Sequence, residues 1–576
     1  MGRDSPQAPE FQRPARLLDL GDRLSDLHSD IRLVDNTNDA IRYATLSHCW
    51  LQNPSETPIK TLRSNIEEHR RGIGFGNLSQ VFQQAVIACR RLKIRHLWID
   101  SLCIIQDDVD SADWEREGAN MDNIYAGSSA TIAMHTATEI PPAIPYRSLI
   151  YRQKSETATV HVRQLPYHQD LSANIAAAPQ STAKNEIAPN ASWNRVSLRG
   201  WCYQERALSR RVFHITPAEL LVEERGRIIY CQCTHHCSSE TAGFAGWLQS
   251  RSASPQTGEI LLRSDMAKYT WANAVAQYTQ RMFTYESDLL PGLAGLARRL
   301  NRPEHNMEIY IAGLWGDSSP ENSTLLRWLC WQSLPWESAN LADRFCCGCR
   351  PRPRRRLPGP VGPACDRDPR FWAPSFSWAS RFGPCEFIHD PWKTYEWIAT
   401  AEVLHFACDT KAEVKYGHVN GGLIDLVGTL YPVLHWSTKH WTFKNLVDKG
   451  LCQTQYAYVL DLGFAERWDL GQPQGEVYED VSSCGMRYVI DAVDDLPENQ
   501  EVVYLFELFK NTIEDTKIVL VLVPDDGRDK GIKSLCLGKD CPGQKFQSYR
   551  RIGIGNFSLD GFLELDSLPN SRIRLI

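Results

Sequence analysis

His96-Leu97-Trp98-Ile99-Asp100-Ser101-Leu102-Cys103-Ile104-Ile105-Gln106-Asp107 is the stretch that decides the fold. It is an almost unbroken apolar run that stops at two acids, Asp107 and Asp108. A run apolar on both faces predicts a central strand, over 96–105, of a parallel sheet covered by helices. Polar side chains at the end of such a strand line a cleft, because open α/β sheets take ligands beyond the carboxyl ends of their strands.

The flanks support this reading. Leu78, Val81, Phe82, Ala85, Val86, Cys89 and Leu92 follow the spacing of one buried helix face. That pattern predicts a helix over Leu78–Lys93, with Arg90, Arg91 and Lys93 favouring the negative end of its dipole. A second helix is expected near 111–125, capped by Ser111, with Trp114, Met121, Ile124 and Tyr125 inward. Strands are expected at 17–20, 31–34, 44–50 and 130–134. Strand, helix, strand, helix, strand makes a parallel sheet with right-handed crossovers.

Further along, 139–192 is polar, rich in Pro and Ala, and reads as an insertion with a short strand near Ala158–Val162. A short helix opens at Arg199–Glu205, and strands follow at 212–215 and 228–231. Helices are expected from Tyr269, over Leu289–Leu300 and over Leu325–Trp331. Residues 344–370 are rich in Cys, Pro and Arg and read as a linker or surface loop. From Trp372 short alternating strands dominate, among them Leu423–Val427, Tyr456–Leu462, Met486–Ile490 and Lys517–Val523. The expected organisation is a tail over 1–16, an α/β domain over 17–240, a helical region over 265–343, the linker, and a β-rich domain over 371–576.

Composition narrows the function. The chain has 576 residues, 63 basic and 69 acidic side chains, and a net charge of −6. That balance gives no general attraction to nucleic acid or anionic membranes. The 18 Cys show no framework spacing, so they read as reduced, mostly buried thiols. No apolar leader opens the sequence, and the longest aliphatic run, Ile518–Val523, is too short to span a bilayer. A cytoplasmic setting is the expectation.

Three blocks then carry a resemblance. Tyr43-Ala44-Thr45-Leu46-Ser47-His48-Cys49-Trp50, then 97–108 with Asp113-Trp114, Glu117, Met121 and Ile124-Tyr125, then Arg199-Gly200-Trp201 with Gln204-Glu205 and Leu208–Arg211 resemble the fungal heterokaryon-incompatibility (HET) domain. The resemblance covers about 43–240. Ala373–Ser380 is similar to a tract of the C-terminal regions of such proteins, with Phe376 where the family usually has Trp. Leu51 stands where the family commonly has Gly, so a backbone contact to phosphate after Trp50 is not implied here.

The resemblance implies an α/β fold distantly similar to TIR domains, and a trigger of non-self recognition and programmed cell death, a form of fungal innate immunity. Some TIR domains cleave NAD with a glutamate in a Trp-Cys-x-x-Glu setting, and Trp201-Cys202-Tyr203-Gln204-Glu205 has that spacing. It implies Glu205 as the catalytic residue, Ser47, His48, Asp107 and Trp201 as substrate-binding residues, NAD as substrate, and no resident cofactor. The partners implied are a second copy of the chain and an incompatibility partner protein. Two other functions stay open: a non-enzymatic self-association module, and an enzyme of fungal secondary metabolism using the same cleft.

The residues also admit plainer roles. Glu205 could cap the helix start or pair with Arg206 or Arg210. His48 could hold its loop by a hydrogen bond. Asp100 inside an apolar run needs a partner such as Arg199. Cys49 and His48 do not form a nucleophile pair, since strand neighbours point to opposite faces. Cys231, Cys233, His235, His236 and Cys237 are packed too tightly for a usual zinc site, so no metal is expected. The Arg350–Arg356 run reads as a solvated linker. No P-loop and no G-x-G-x-x-G motif is present.

Overall fold

The computed structural model describes residues 13–21, 26–36, 41–49, 59–107, 112–135, 147–153, 156–162, 195–216, 220–224, 227–231, 259–281, 283, 286–301, 307, 309–316, 323–333, 373–380, 385–388, 396–410, 416–434, 487–490, 502–513, 516–525, 546–558 and 568–576. The strands β1 (Arg16–Asp19), β2 (Arg32–Asp35), β3 (Tyr43–Ser47), β4 (His96–Trp98) and β5 (Ala130–Met134) come first. The hairpin β6 (Arg147–Gln153) and β7 (Glu156–Val162) stands alone, and β8 (Arg211–Ile215), β9 (Leu220–Glu224) and β10 (Arg227–Cys231) follow.

The first sheet has the order β10-β9-β8-β5-β3-β4-β1-β2. Its middle is parallel: β4 with β3, β3 with β5, β5 with β8. Its outer strands β1, β2, β9 and β10 are antiparallel. Taken in chain order, the four parallel strands lie 2-1-3-4. The chain therefore leaves β3 on one side, then returns to build on the other. That puts a switch point between β3 and β5, where the carboxyl ends leave a crevice.

Helices α1 (Ile66–Arg71) and α2 (Gln80–Arg91) join β3 to β4. The Ser79 hydroxyl caps α2 by accepting from Phe82 N, and the apolar stripe Val81, Phe82, Ala85, Val86 and Cys89 is buried as its spacing requires. Leu92 falls outside the helix and is exposed.

The deciding stretch is shorter as a strand than its composition predicts. Only His96–Trp98 is extended in the sheet, and Asp100–Cys103 forms the one-turn helix α3. Asp100 Oδ1 accepts from Ser101 N at 2.7 Å, and Ile99 O accepts from Cys103 N at 2.7 Å. Asp and Ser bend the chain by such local bonds. A short buried helical turn and a buried strand share the same apolar composition.

The helix expected at 111–125 is two helices, α4 (Ala112–Ala119) and α5 (Met121–Gly127), divided at Asn120. Met121, Ile124 and Tyr125 are buried, but Trp114 is 39% exposed. The acids of this block hold the scaffold. Asp113 pairs with the buried Arg16 of β1 and accepts from Ile105 N at 2.8 Å, while Glu117 accepts from Ala15 N at 3.2 Å. These bonds tie α4 to the amino-terminal strand.

After the hairpin come α6 (Arg195–Leu198), α7 (Gly200–Leu208), α8 (Glu259–Thr279), α9 (Pro291–Leu300) and α10 (Ser323–Trp328). Helix α9 packs on α7 through Gly295. Its N–H donates to Gln204 Oε1 at 2.8 Å, and a Cβ there would lie 2.3 Å from the Asp122 Cβ. Between α9 and α10 lie β11 (Ile309–Ile311) and β12 (Leu314–Gly316), and β13 (Trp331–Ser333) pairs with β14 (Cys385–Phe387).

The β-rich region is an eight-stranded sheet of β15 (Trp397–Ala399), β16 (Glu402–Thr410), β17 (Val419–Leu434), β18 (Arg487–Ile490), β19 (Val502–Asn511), β20 (Thr516–Pro524), β21 (Gln547–Ser558) and β22 (Leu568–Leu575). The long β17 pairs with both β22 and β19, which closes β19-β20-β21-β22-β17 into a ring. Buried Arg551 joins this ring to the helical region: its guanidinium donates to Trp331 O and to Leu329 O at 2.5 Å, and stacks on the Trp331 ring. The strand expected at Tyr456–Leu462, the cap Ser111 and the linker 344–370 lie outside the described residues. Among the described residues no helix is long and apolar enough to cross a membrane.

Candidate functional site

The site is built at the carboxyl end of β3. Ser47 ends the strand, and His48 and Cys49 follow it. One sheet face here is polar by alternation: Thr45 and Ser47 on β3, and Thr131 on β5. Thr45 Oγ1 and Thr131 Oγ1 share a hydrogen bond at 2.7 Å, Thr131 Oγ1 meets Ser209 Oγ at 2.5 Å, and Ser209 Oγ donates to Glu205 O at 2.6 Å. This chain of hydroxyls fastens α7 onto that face and brings Glu205 to the strand end.

Glu205 is 6% exposed. Burial pushes its carboxyl up to about 7, and the Asp100 charge adds to the rise. The Ser47 hydroxyl, Arg199 and the Tyr125 hydroxyl pull the other way. The Ser47 and Tyr125 hydroxyls thus lie close enough to steady the carboxylate, but among the described residues neither Glu205 Oε2 nor the buried Ser47 Oγ closes a well-formed hydrogen bond. Two buried polar atoms left without partners are costly, and both belong to one strand end. A ligand hydroxyl placed there would satisfy both.

Arg199 precedes α7 and crosses back to β3, where its Nη1 donates to His48 O at 3.1 Å. Burial alone would lower its pKa, but Cys202, Cys49, Asp100 and Glu205 around it raise it, so it stays charged. His48 is 7% exposed and stands edge-on to Phe82 at 5.2 Å. Burial lowers its pKa to about 4, with Asp100 opposing and Arg199 reinforcing. The imidazole is neutral at pH 7. Tyr125 Oη donates to Leu46 O at 3.0 Å, which holds α5 over β3.

Cys202 is buried, its thiol pKa is raised well above the ordinary value by burial and by Glu205, and its Sγ–H points at His48 O at 3.9 Å. Cys103 is also buried, with its pKa pushed up to about 12. Neither thiol is ionised at neutral pH, so neither is an activated nucleophile. Among the described residues no group of His, Cys, Asp and Glu is arranged to hold a metal ion, and the Cys/His cluster at 231–237 lies outside them.

Ser47, His48 and Glu205 therefore converge, with Asp100, Tyr125 and Arg199 around them. Two other candidates make hydrogen bonds outside this set. Asp107 is exposed, and its Oδ1 accepts from Arg63 N at 2.8 Å, pinning the turn before α1. Trp201 donates its Nε1–H to Asp288 Oδ2 at 2.8 Å and meets Trp114 edge-on at 6.4 Å. Asp100 is electrostatically coupled to both His48 and Arg199.

Sequence reasoning passed over His135 and His214. His214 Nδ1 lies 2.9 Å from His135 Nε2, and its Nε2 lies 2.8 Å from Glu223 Oε2. The signal was available: His135 is the first polar residue after an entirely buried strand, in the same strand-end position as His48.

A parallel-centred α/β domain with a buried carboxyl at its switch point is the class these features define. Residues 43–205 match the family model described as Heterokaryon incompatibility protein (HET), so this part of the chain is a HET domain. No curated protein and no solved structure matches the chain at a significant level.

Proposed function

We propose that the chain is a cytoplasmic effector of fungal non-self recognition, whose HET domain triggers cell death by cleaving NAD in the manner of some TIR domains. One observation carries this reading: Glu205, buried with its pKa near 7, presents an unpartnered oxygen at the carboxyl end of β3. A carboxyl perturbed by burial in a crevice is a functional candidate.

The chemistry fits the group. Breaking the nicotinamide–ribose bond builds positive charge on the ribose, and an adjacent carboxylate stabilises that charge or binds the ribose hydroxyls. The nicotinamide ring of NAD is itself cationic, so its arrival lowers the Glu205 pKa and draws out the carboxylate when it is needed. Ser47 and His48 line the same strand end, and Arg199 keeps the loop after β3 against α7.

The test is incubation of pure protein with NAD, with nicotinamide measured by chromatography. Glu205→Gln and Glu205→Ala are expected to abolish release while the circular dichroism is kept. Release unchanged in both variants refutes the role.

A second reading, self-association without catalysis, is favoured by closure of the site: Ser47 is 2%, Glu205 6% and His48 7% exposed. Protein that self-associates reversibly, leaves NAD intact and still kills cells would select it.

A further inference from the structure

Arg281 lies two residues past the end of α8 and is 2% exposed. A buried guanidinium has five N–H groups to satisfy and a charge to balance. Buried Arg16 and Arg90 show the usual answer. Arg16 bonds to Asp113 and to Cys103 O, and Arg90 bonds to the carbonyls of Leu20, Leu27 and Ser29. Arg281 differs. Its side chain donates from Nη1 to Ser197 O, and its Cζ stands 4.7 Å from the centre of the Tyr203 ring. Among the described residues its buried Nε meets no acceptor. The groups that act on its charge are Tyr203, Arg206, Cys202 and Tyr278, none of them a carboxylate. Burial lowers its pKa to about 10, so it stays charged at pH 7.

The edge that remains is the one that grips oxyanions. Arg95 holds Asp19 side-on, with Nε on one oxygen at 2.8 Å and Nη2 on the other at 3.0 Å. Arg574 holds Asp425 in the same way, at 2.6 and 2.8 Å. Arg281 uses Nη1 on a carbonyl, which leaves its Nε–Nη2 fork for another acceptor.

This fork stands against the start of α7. Ser197 comes three residues before Gly200, the first residue of α7, and Tyr203 three residues after it. Phe283, two residues on from Arg281, packs so closely on Gly200 that a Cβ there would run into its ring. No side chain caps α7, and no acid sits in its first turn. Its first N–H groups therefore lack intrahelical partners and carry the positive end of the helix dipole. Arg206 shares a helix face with Tyr203 and adds positive charge, which Glu223 balances from 2.8 Å.

We propose that the Arg281 fork and the first turn of α7 form a binding site for a phosphate ion. A carboxylate would fill the fork and leave nothing for the helix N–H groups, whereas a phosphate has oxygens enough for both. Ser197 is 5% and Tyr203 7% exposed, so the walls admit the bare anion without a nucleoside on it. The site is separate from the strand end: Glu205, two residues after Tyr203, turns away from it toward Ser47. A bound anion ties the end of α8 to α7 and braces the helix that carries Glu205, whatever reaction that residue serves.

Two measurements on the full chain test this. The first is equilibrium dialysis against labelled inorganic phosphate, with chloride holding the ionic strength. Arg281→Met is expected to bind one phosphate fewer than wild type. Arg281→Lys keeps the charge but not the fork and should weaken that site about tenfold or more, as loss of one charge-assisted bond implies. The second is pulsed thiol labelling of Cys202, which is buried on α7. At phosphate a hundred times its dissociation constant, labelling through unfolding should slow about 100-fold in the wild type and stay unchanged in Arg281→Met. Without phosphate, Arg281→Met should label no faster than wild type, because it removes a buried charge that lacks a counter-ion. Wild-type protein indifferent to phosphate in both measurements overturns the proposal, even if Arg281→Met does not fold. A phosphate effect that survives in Arg281→Met overturns it too. So does acetate acting at the same concentration, which makes the fork a carboxylate site, or adenosine monophosphate acting as well as phosphate. None of these outcomes depends on nicotinamide release.

Discussion

Glu205→Gln should change how the stability of the HET domain depends on pH, and the size of the effect follows from the site. Glu205 has a folded pKa of about 7 against an ordinary 4.5. The folded state therefore binds the proton more tightly between these values. The stability this gives is present in full below pH 4.5 and is lost as pH rises through 7. A shift of about 2.5 units at 1.36 kcal/mol each is worth about 3 kcal/mol. The side chain is almost wholly buried, so solvent screening takes little of this away.

His48 hides the effect in the wild type. Its folded pKa of about 4 lies below the ordinary 6.5. Here the folded state binds the proton less tightly. The stability from His48 is present above pH 6.5 and is lost as pH falls through 4, again about 3 kcal/mol. Between 4.5 and 6.5 the two slopes oppose and nearly cancel. Neither group is among the charges that shift the other, so removing one leaves the other in view. Relative to wild type, Glu205→Gln should gain about 3 kcal/mol between pH 4.5 and 8, and its own profile should rise from pH 4 to 6.5. The chain carries two separate eight-stranded sheets, so the probe must be local. Urea unfolding followed by pulsed thiol labelling, read by mass spectrometry at Cys103 and Cys202, reports this domain alone, since both thiols are buried in it. Profiles of mutant and wild type that run parallel from pH 4.5 to 8 refute the reasoning.

Further outcomes are expected from single substitutions. Gly295→Ala forces a Cβ to within 2.3 Å of the Asp122 Cβ and should cost about 1–3 kcal/mol in urea, as overpacking does; an unchanged midpoint would mean α9 does not press on α5 and α7. Arg16→Met takes from Asp113 its buried partner on β1 but leaves Arg116 paired with it, and should cost about 1–3 kcal/mol; a loss below about 0.5 kcal/mol, on the order of a neutral surface change, would count against the α4–β1 tie. Asp107→Ala removes one exposed bond, to Arg63 N, and should cost no more than about 1 kcal/mol; a larger loss would place that carboxylate in a structural role beyond the turn. Cys202, whose pKa is raised by burial, should react with iodoacetamide at pH 7.5 far more slowly than a free thiol in urea; equal rates would mean the strand end is open.

What the sequence conveyed depended on the range of the interaction. The stripe Val81–Cys89 and the strand 130–134 are local patterns, and the chain adopts both. The polar end of β3 was legible because Ser47 and His48 follow an apolar strand directly. The bend at Asp100 was not, because an apolar run reads the same in a strand and a buried turn. The division at Asn120 and the exposure of Trp114 depend on where α9 and α7 pack, which periodicity does not encode. The bonds of Asp107 to Arg63 and of Trp201 to Asp288 join segments far apart in the chain, which places in a motif do not reveal. His135, His214 and Glu223 meet only because β5, β8 and β9 are neighbours in the sheet.

The strand order also explains why the polar groups gather where they do. A sheet that grows in one direction buries each carboxyl end beneath the next crossover. Here the chain leaves β3 toward β4 and returns to β5, so the connections part over β3 and β5. Ser47, His48 and His135 sit at the two strand ends the crossovers leave uncovered. Helix α7 then closes the gap from the far side of the sequence, held by Ser209 on Thr131, by Arg206 on Glu223 and by Gln204 on Gly295. Two anchors on this nine-residue helix and a third at its C-cap, Ser209, fix the place of Glu205. Such anchoring is what a buried carboxyl with an unpartnered oxygen requires, since a loosely held helix would let that oxygen turn and find a bond.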